Sequence, residues 1–391
     1  MQAKERYHVV TLPGDGVGPE VTAQAVAVLN AAAARSGFGL DFEEVAGGGE
    51  YYLEHEREWP EGSEARCDAA DAVLLGGVGA QDPVTGKNVF TRPGKPYDTP
   101  QLAGFAQVIG NRQRMQLFVN LRPIKLFPGV RHKVSGRFLE VWEPANVDYV
   151  VCRENTEEAY TGRSEDMLDA SGAVIGRRTP LEVTRAATER VCRYAYELAR
   201  TRKRAGYPGK LTCVVKSNIV GAHRYFEEIY RELGQREFSD IEQDVAMFDA
   251  FCMWQIRNPE WYDVVVAPNL VGDVISDNGS TTQGGMGLAA GGNIGYDHGM
   301  FEPVHGSAPK YKGQDKVNPI AAVLAGAMLC DWLGHRHADA RLNQAARVIE
   351  KAVATVLVGG RWLSYDLGGS ARCSEVGAAI RDTVSELGSQ A

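Results

Sequence analysis

The stretch Tyr7-His8-Val9-Val10-Thr11-Leu12-Pro13-Gly14-Asp15-Gly16-Val17-Gly18-Pro19-Glu20, continued by an alanine- and valine-rich run to Ala34, decides the fold class. An apolar, β-branched run ends at Leu12. A glycine-rich turn follows, and Pro19 then opens a helical pattern, a position where its missing N–H costs nothing. Strand, glycine turn and helix in that order form the unit of α/β folds. Dinucleotide-binding folds place G-x-G-x-x-G at this point, but the third glycine would fall at position 19, which is Pro. The turn is not a Rossmann fingerprint. Two readings of it stay open: a helix N-terminus that approaches an anion, or a tight strand-to-helix turn.

The same alternation runs along most of the chain. Residues 71–75, 117–121, 148–152, 211–215 and 263–267 read as buried strands, and 20–34, 184–202, 223–233 and 340–356 as helices. An α/β architecture with a largely parallel sheet is expected. Residues 81–101 hold four Pro and two Gly and read as a long surface loop; 161–180, polar and glycine-containing, reads as an irregular segment or arm. The 391 residues, 44% hydrophobic and 24% charged, suffice for one large domain or two with a sizeable core. A net charge of −8 disfavours a duty on nucleic acid or on an anionic membrane. The apolar run 320–330 stops at Asp331, too short to span a bilayer, and no signal-like apolar run follows the charged N-terminal residues. Seven cysteines without a C-x-x-C pair fit a reducing, cytoplasmic setting.

Several residues carry candidate chemistry. If the chain is helical from about Gly272, Asp273 and Asp277 stand at i and i+4 on one face. Two carboxylates there repel unless a cation or an arginine lies between them. Hard oxygen ligands suit Mg²⁺ or Mn²⁺, with Asp249 as a third candidate ligand. The competing reading is a solvated acidic face, which the glycines at 284, 285, 287, 291 and 292 weigh against. Arg112 and Arg122 bracket the strand at 117–121 and Arg153 ends another, positions suited to gripping the carboxylates of a small polyacid. Tyr160 and Lys216 stand near strand ends as candidate proton-transfer groups.

Taken together, these motifs resemble the isocitrate/isopropylmalate dehydrogenase family, the metal-dependent decarboxylating dehydrogenases of 3-substituted malates. The matching stretches are Gly14 to Glu20, Asn120-Leu121-Arg122-Pro123, Arg153-Glu154-Asn155-Thr156-Glu157, Lys216-Ser217-Asn218, Gly272 to Asp277, Glu302-Pro303-Val304-His305-Gly306-Ser307-Ala308-Pro309 and Asp366-Leu367-Gly368-Gly369, in family order. The resemblance implies a two-domain fold distinct from Rossmann, with a mixed sheet flanked by helices. Residues 1–117 plus 284–391 would form the large cofactor-binding domain, and 118–283 a smaller one with the dimer interface and an intersubunit arm. It implies a homodimer whose active sites take residues from both chains. Carried over, Arg112, Arg122 and Arg153 hold the malate carboxylates, Asp273 and Asp277 bind the metal, and Tyr160 is the proton donor. Lys216, Asn218 and Asp249 come from the partner subunit, with Lys216 assisting proton removal from the substrate hydroxyl.

The resemblance also places the cofactor, at His305, Gly306, Ser307, Ala308, Lys310, Tyr311, Asn318 and Tyr365. Family members using NAD usually carry Asp where Lys310 stands. Lys310, Tyr311 and Tyr365 instead resemble the pattern that meets the 2′-phosphate of NADP. NADP is therefore favoured, with NAD as the alternative, because the arginine expected at position 369 is replaced by Gly369. Isocitrate enzymes place Ser and Asn where this chain has Ala106 and Val108. With Phe105, Ile109 and the partner's Ile219, Val108 suggests an apolar pocket for the C3 substituent, although the acidic residue usual in isopropylmalate enzymes is missing near Phe105. The basic run Lys125, Arg131, His132, Lys133 and Arg137 reads as solvated surface. Isocitrate dehydrogenase itself, or a catalytically silent regulatory subunit, are the rival readings.

Overall fold

The computed structural model describes residues 2–92 and 99–387. Its strands are β1 Arg6–Gly14, β2 Gly39–Glu44, β3 Ala72–Gly77, β4 Val119–Lys125, β5 His132–Val134, β6 Arg137–Leu139, β7 Asp148–Glu154, β8 Glu165–Leu168, β9 Val174–Arg178, β10 Lys210–Val215, β11 Glu242–Met247, β12 Val264–Ala267, β13 Ala290–Ile294 and β14 Gly299–Pro303. The helices are α1 Gly18–Ser36, α2 Gly49–His55, α3 Ser63–Ala69, α4 Asn111–Arg114, α5 Arg185–Arg204, α6 Gly221–Glu237, α7 Phe248–Arg257, α8 Asn269–Ser280, α9 Ile320–His337, α10 Ala340–Gly359 and α11 Cys373–Glu386.

Ten strands form one sheet in the order β11-β10-β12-β7-β4-β13-β14-β3-β1-β2. The expectation of a largely parallel sheet holds for its two wings, β11-β10-β12-β7 and β14-β3-β1-β2. Between them β4 and β13 run antiparallel to their neighbours, so the sheet is mixed. Strand β13, Ala290-Gly291-Gly292-Asn293-Ile294, carries too few side chains to read as a strand from sequence. Helix α9 is apolar all round and buried along most of its length, which makes it a core helix. It packs between α1, α10 and the strands β13 and β14. No helix among the described residues is long and apolar enough to cross a membrane.

The glycine turn is resolved in favour of the tight-turn reading. Gly16 has φ +59°, and a Cβ there would stand 2.1 Å from the Ser307 carbonyl oxygen. The N–H groups that open α1 are taken: Val17 donates to Ser307 O at 2.8 Å and Gly18 to Asp15 O at 2.9 Å. Asp15 is fully buried and accepts three backbone N–H bonds, from Gly49, Glu50 and Gly79, at 2.7–2.9 Å. No anion is needed to satisfy this turn.

Of the expected loop 81–101, residues 93–98 lie outside the described residues. The rest is a tight excursion: Gln81 bridges Asn88, Phe90 bridges Leu102, and the Asp82 carboxylate accepts from the N–H groups of Val84 and Thr85. The segment 161–180 is more regular than expected. Strands β8 and β9 form an antiparallel hairpin with Met167, Leu168, Val174 and Ile175 about half exposed or more.

Candidate active site

The sheet assembles the site's arginines. Strands β4 and β7 pair antiparallel with Asn120 opposite Arg153 and Arg122 opposite Val151. Strand β12 lies beside β7 with Ala267 opposite Arg153, and α8 begins two residues later. Its first turns cross the end of β7 closely. A Cβ on Gly272 would stand 2.6–2.7 Å from the Arg153 side chain, so only glycine lets the helix lie there. Asp273 and Asp277 follow one turn apart, as the i, i+4 spacing predicts.

Arg122 reaches both carboxylates. Arg153, fully buried, pairs through Nη1 with Asp273, and its Nε donates to Asn269 Oδ1 at 2.9 Å. Arg122 donates to Asp277 Oδ1 at 2.8 Å and to Ser276 Oγ at 3.0 Å, with Nη2 3.6 Å from Asp273. Arg112, on α4, donates to Glu302 of β14 at 3.0 Å. The Tyr160 hydroxyl donates to Asp273 Oδ2, and the Arg153 guanidinium lies 4.6 Å from the tyrosine ring centroid. Two guanidinium nitrogens, Arg112 Nε and Arg153 Nη2, are buried with no hydrogen-bond partner among the described residues. Buried donors of this kind call for an acceptor.

Burial sets the electrostatics. Burial holds the Arg153 guanidinium down at about 10, opposed by Asp273 and helped by its neighbours Arg112 and Arg122. Burial alone would push Asp273 up, but Arg153, Arg122 and the Tyr160 hydroxyl outweigh it and leave the carboxyl below its ordinary value. Asp277 is shifted the other way, because partial burial and the Asp273 charge exceed the pull of Arg122. Tyr160 is pushed up to about 12 by burial and by Asp273, so its hydroxyl keeps its proton at neutral pH.

Beside this cluster lies a cavity of roughly 860 Å³. Asp277, the glycine turn 284–287, His305, Gly306, Ala308, Tyr311, Asn318 and Tyr365 line it, so most of the expected cofactor residues share one wall. Ser307 is turned away and donates to the Gly79 carbonyl. Lys310 stands over the Tyr311 ring at 4.7 Å, and Lys316 over Tyr365 at 5.0 Å. Tyr311 is held below its ordinary value by the Tyr365 hydroxyl and by Lys310. His305 is lowered by burial, and its Nε2 has no partner among the described residues.

Other expected residues lie elsewhere. Lys216, at the end of β10, donates to Asp249 in the first turn of α7 at 2.6 Å, and this bond holds the Asp249 carboxyl below its ordinary value. Asn218 and Ile219 sit exposed on the turn before α6. Asp249 does not join Asp273 and Asp277: no group of three metal-ligating side chains gathers among the described residues. Val108 and Ile109 lie in a π-helical turn, Ala106–Gly110, just before Arg112. There Ile109 is buried and Val108 packs on the small core of β1 and β3.

The basic run after β4 needs a correction. Lys133 and Arg137 are exposed as expected, but His132 is buried. It bonds through Nε2 to Thr282 O at 3.0 Å, leaves Nδ1 unpartnered, and lines the cavity with Lys133. Sequence reasoning also missed Ser276 and Asn269, which steady the arginines. Their place inside the motif after β12 was the available signal.

A family model described as isocitrate/isopropylmalate dehydrogenase matches residues 8–380. The chain belongs to the isocitrate/isopropylmalate dehydrogenase family. It is 37% identical to a 3-isopropylmalate dehydrogenase from Symbiobacterium thermophilum, over 92% of either chain. It is 34% identical to a decarboxylating D-malate dehydrogenase from Escherichia coli, over 95% of this chain and 97% of that one. The crystal structure of isocitrate dehydrogenase from Methylococcus capsulatus superposes with a TM-score of 0.80 at 31% identity, covering 97% and 99%. Membership in this family makes the chain an oxidoreductase of the decarboxylating, metal- and NAD(P)-dependent kind. The site fits both groups. Asp273 and Asp277 offer only hard oxygen donors, and two of the residues lining the cavity, His132 and His305, each hold a buried imidazole nitrogen with no partner among the described residues.

Proposed function

We propose that this protein oxidatively decarboxylates a 3-substituted malate, with NADP favoured over NAD and Mg²⁺ or Mn²⁺ held by Asp273 and Asp277. The two unpartnered guanidinium N–H groups beside the aspartate pair carry this reading, because together they match a small substrate with several carboxylates. Arg112, Arg122 and Arg153 bind and orient those carboxylates. Lys216 removes the proton from the C2 hydroxyl, and Tyr160, which stays protonated, returns one to C3 once CO₂ has left. The cation supplies Lewis-acid stabilisation of charge on the substrate oxygens, and the nicotinamide supplies the hydride acceptor.

The active unit in this reading is a homodimer with shared sites. The exposed turn carrying Lys216, Asn218 and Ile219, together with the nearby Asp249, supports it, since within one chain these residues do not join the aspartate pair. Residues 1–117 plus 284–391 and residues 118–283 form the two lobes, divided at the β4–β13 pairing. Lys310, Lys316, Tyr311 and Tyr365 support NADP, as neither lysine has an ion-pair partner among the described residues. Free thiols at all seven cysteines support a cytoplasmic setting.

The C3 substituent is read as apolar, unlike the carboxymethyl of isocitrate, from the sequence: Ala106 and Val108 stand where isocitrate enzymes place Ser and Asn, while Ile109 is buried and Val108 packs on the core of β1 and β3. The test is metal-dependent NADP⁺ reduction by the purified protein with 3-isopropylmalate, isocitrate and D-malate in parallel. Isopropylmalate is expected to give the highest kcat/KM. Preference for isocitrate would overturn the apolar pocket, and no metal-dependent turnover with any malate would favour the silent-subunit reading.

A further inference from the structure

Glu158 is a buried acid in a backbone conformation that favours glycine. Its φ is +62° and it is 1% exposed. A non-glycine residue there costs about 1 kcal/mol or more and persists only where its surroundings hold it. Both carboxylate oxygens are engaged. Oε1 bonds His223 Nε2 at 2.8 Å, and Oε2 accepts the backbone N–H of Leu270, in the first turn of α8, at 2.6 Å.

His223, in the first turn of α6 and 4% exposed, is engaged at its other nitrogen as well. Its Nδ1 accepts the backbone N–H of Lys216 at 3.1 Å. An N–H donor facing Nδ1 requires a lone pair there, so the ring proton sits on Nε2 and points at Glu158. One buried pair thus links the end of β10 at Lys216 to α8. It also reaches Tyr160, two residues past Glu158 in the same 3₁₀ turn, Glu158–Thr161.

We propose that Glu158 and His223 are positioning residues: a latch that fixes the backbone under Lys216 to the turn that carries Tyr160. The proposal rests on the roles assigned above to those two groups. It explains why a strained acid is kept at a position where glycine would relieve the strain. In a dimer with shared sites, Lys216 and Tyr160 of one chain serve different active sites, so the latch ties one site to its neighbour.

Two substitutions separate the halves of the latch. His223→Asn keeps an acceptor near the Nδ1 position for Lys216 and gives up Glu158. His223→Gln keeps a donor near Nε2 for Glu158 and gives up Lys216. Because the latch needs both bonds, each variant is expected to lose kcat about tenfold or more with KM changed by less than about threefold. Full kcat in either folded His223 variant would overturn the proposal whatever happens to its thermal stability. If either fails to fold, Glu158→Gln, which leaves the backbone unchanged, takes its place, and full kcat in that variant overturns the latch. Lys216→Ala run alongside separates the failures. If it is as active as wild type, the role of Lys216 is wrong and the latch falls with it; if it is inactive while either His223 variant keeps full kcat, only the latch falls.

Discussion

Asp273 and Asp277 share a helix face and a pair of arginines, yet their carboxyls move in opposite directions. Asp273 lies below its ordinary value, so it contributes stability that is present above the unfolded carboxyl pKa and lost as pH falls through the depressed folded one. Asp277 lies above, so its share is present at low pH and lost as pH rises through the raised value. The two corresponding amides should therefore behave differently in metal-free protein at pH 7. Asp273→Asn removes the charge facing buried Arg153, and breaking such a pair typically costs about 3–5 kcal/mol. Asp277→Asn should leave the unfolding midpoint unchanged or slightly raised, since Arg122 keeps Ser276 and an amide oxygen. Thermal unfolding of the two apoproteins checks this, and an equal loss in both would show that the arginines do not discriminate between the aspartates. Both variants should lose Mn²⁺ binding. The pairing also gives the expectation of a cation or an arginine between the carboxylates a concrete form: Arg122 fills that place.

Each of the ten elements read from periodicity lies within a few residues of an observed one, but these are six of the fourteen strands and four of the eleven helices among the described residues. The expected helix at 20–34 is α1 Gly18–Ser36, 340–356 is α10 Ala340–Gly359, and the strand at 148–152 is β7 Asp148–Glu154. What escaped was structure whose stability comes from partners far along the chain. Strand β13 is held by β4 and β14 rather than by its own side chains. The same holds within the site: Arg122, Arg153, Asp273 and Tyr160 were legible because their motifs are local. The burial of His132 depends on Trp142 and Thr282, which the run of basic residues around it conceals. Hairpin β8–β9 was legible only as an arm; charged pairs Glu165–Arg178 and Asp166–Arg177 stand at its base and apolar residues toward its turn. Its exposed Met167, Leu168, Val174 and Ile175 form an apolar patch of the kind that marks an interaction surface. In the proposed homodimer, replacing Leu168 and Ile175 together by Ser should shift the protein to monomer in sedimentation velocity, with little change in secondary structure by circular dichroism. A variant that remains dimeric would remove the hairpin from the interface.

At the scale of the whole molecule, the proposed shared sites make a quantitative demand. Tyr160→Phe and Lys216→Ala should each be inactive as homodimers. Mixed and reassociated, they form heterodimers in which one site carries both defects and the other carries neither. Random pairing then restores about a quarter of wild-type activity. No recovery, with heterodimers shown to form, would place both residues in the site of a single chain and end the reading of shared sites.

The order of the sheet also bears on how the chain is made. Strands β4, β7, β10, β11 and β12 all lie within residues 119–267, so the wing β11-β10-β12-β7 and β4 beside it can pair with one another once α8 has been synthesised. Strands β1, β2 and β3 emerge first, but the other neighbour of β3, besides β1, is β14, which follows roughly two hundred residues later. At about 5–20 residues per second, the edge of β3 stays unpaired on the ribosome for on the order of ten seconds or more. The middle of this protein is therefore free to fold before its beginning. The nascent N-terminal wing, with an apolar strand edge and no partner, is the segment most in need of a chaperone's cover.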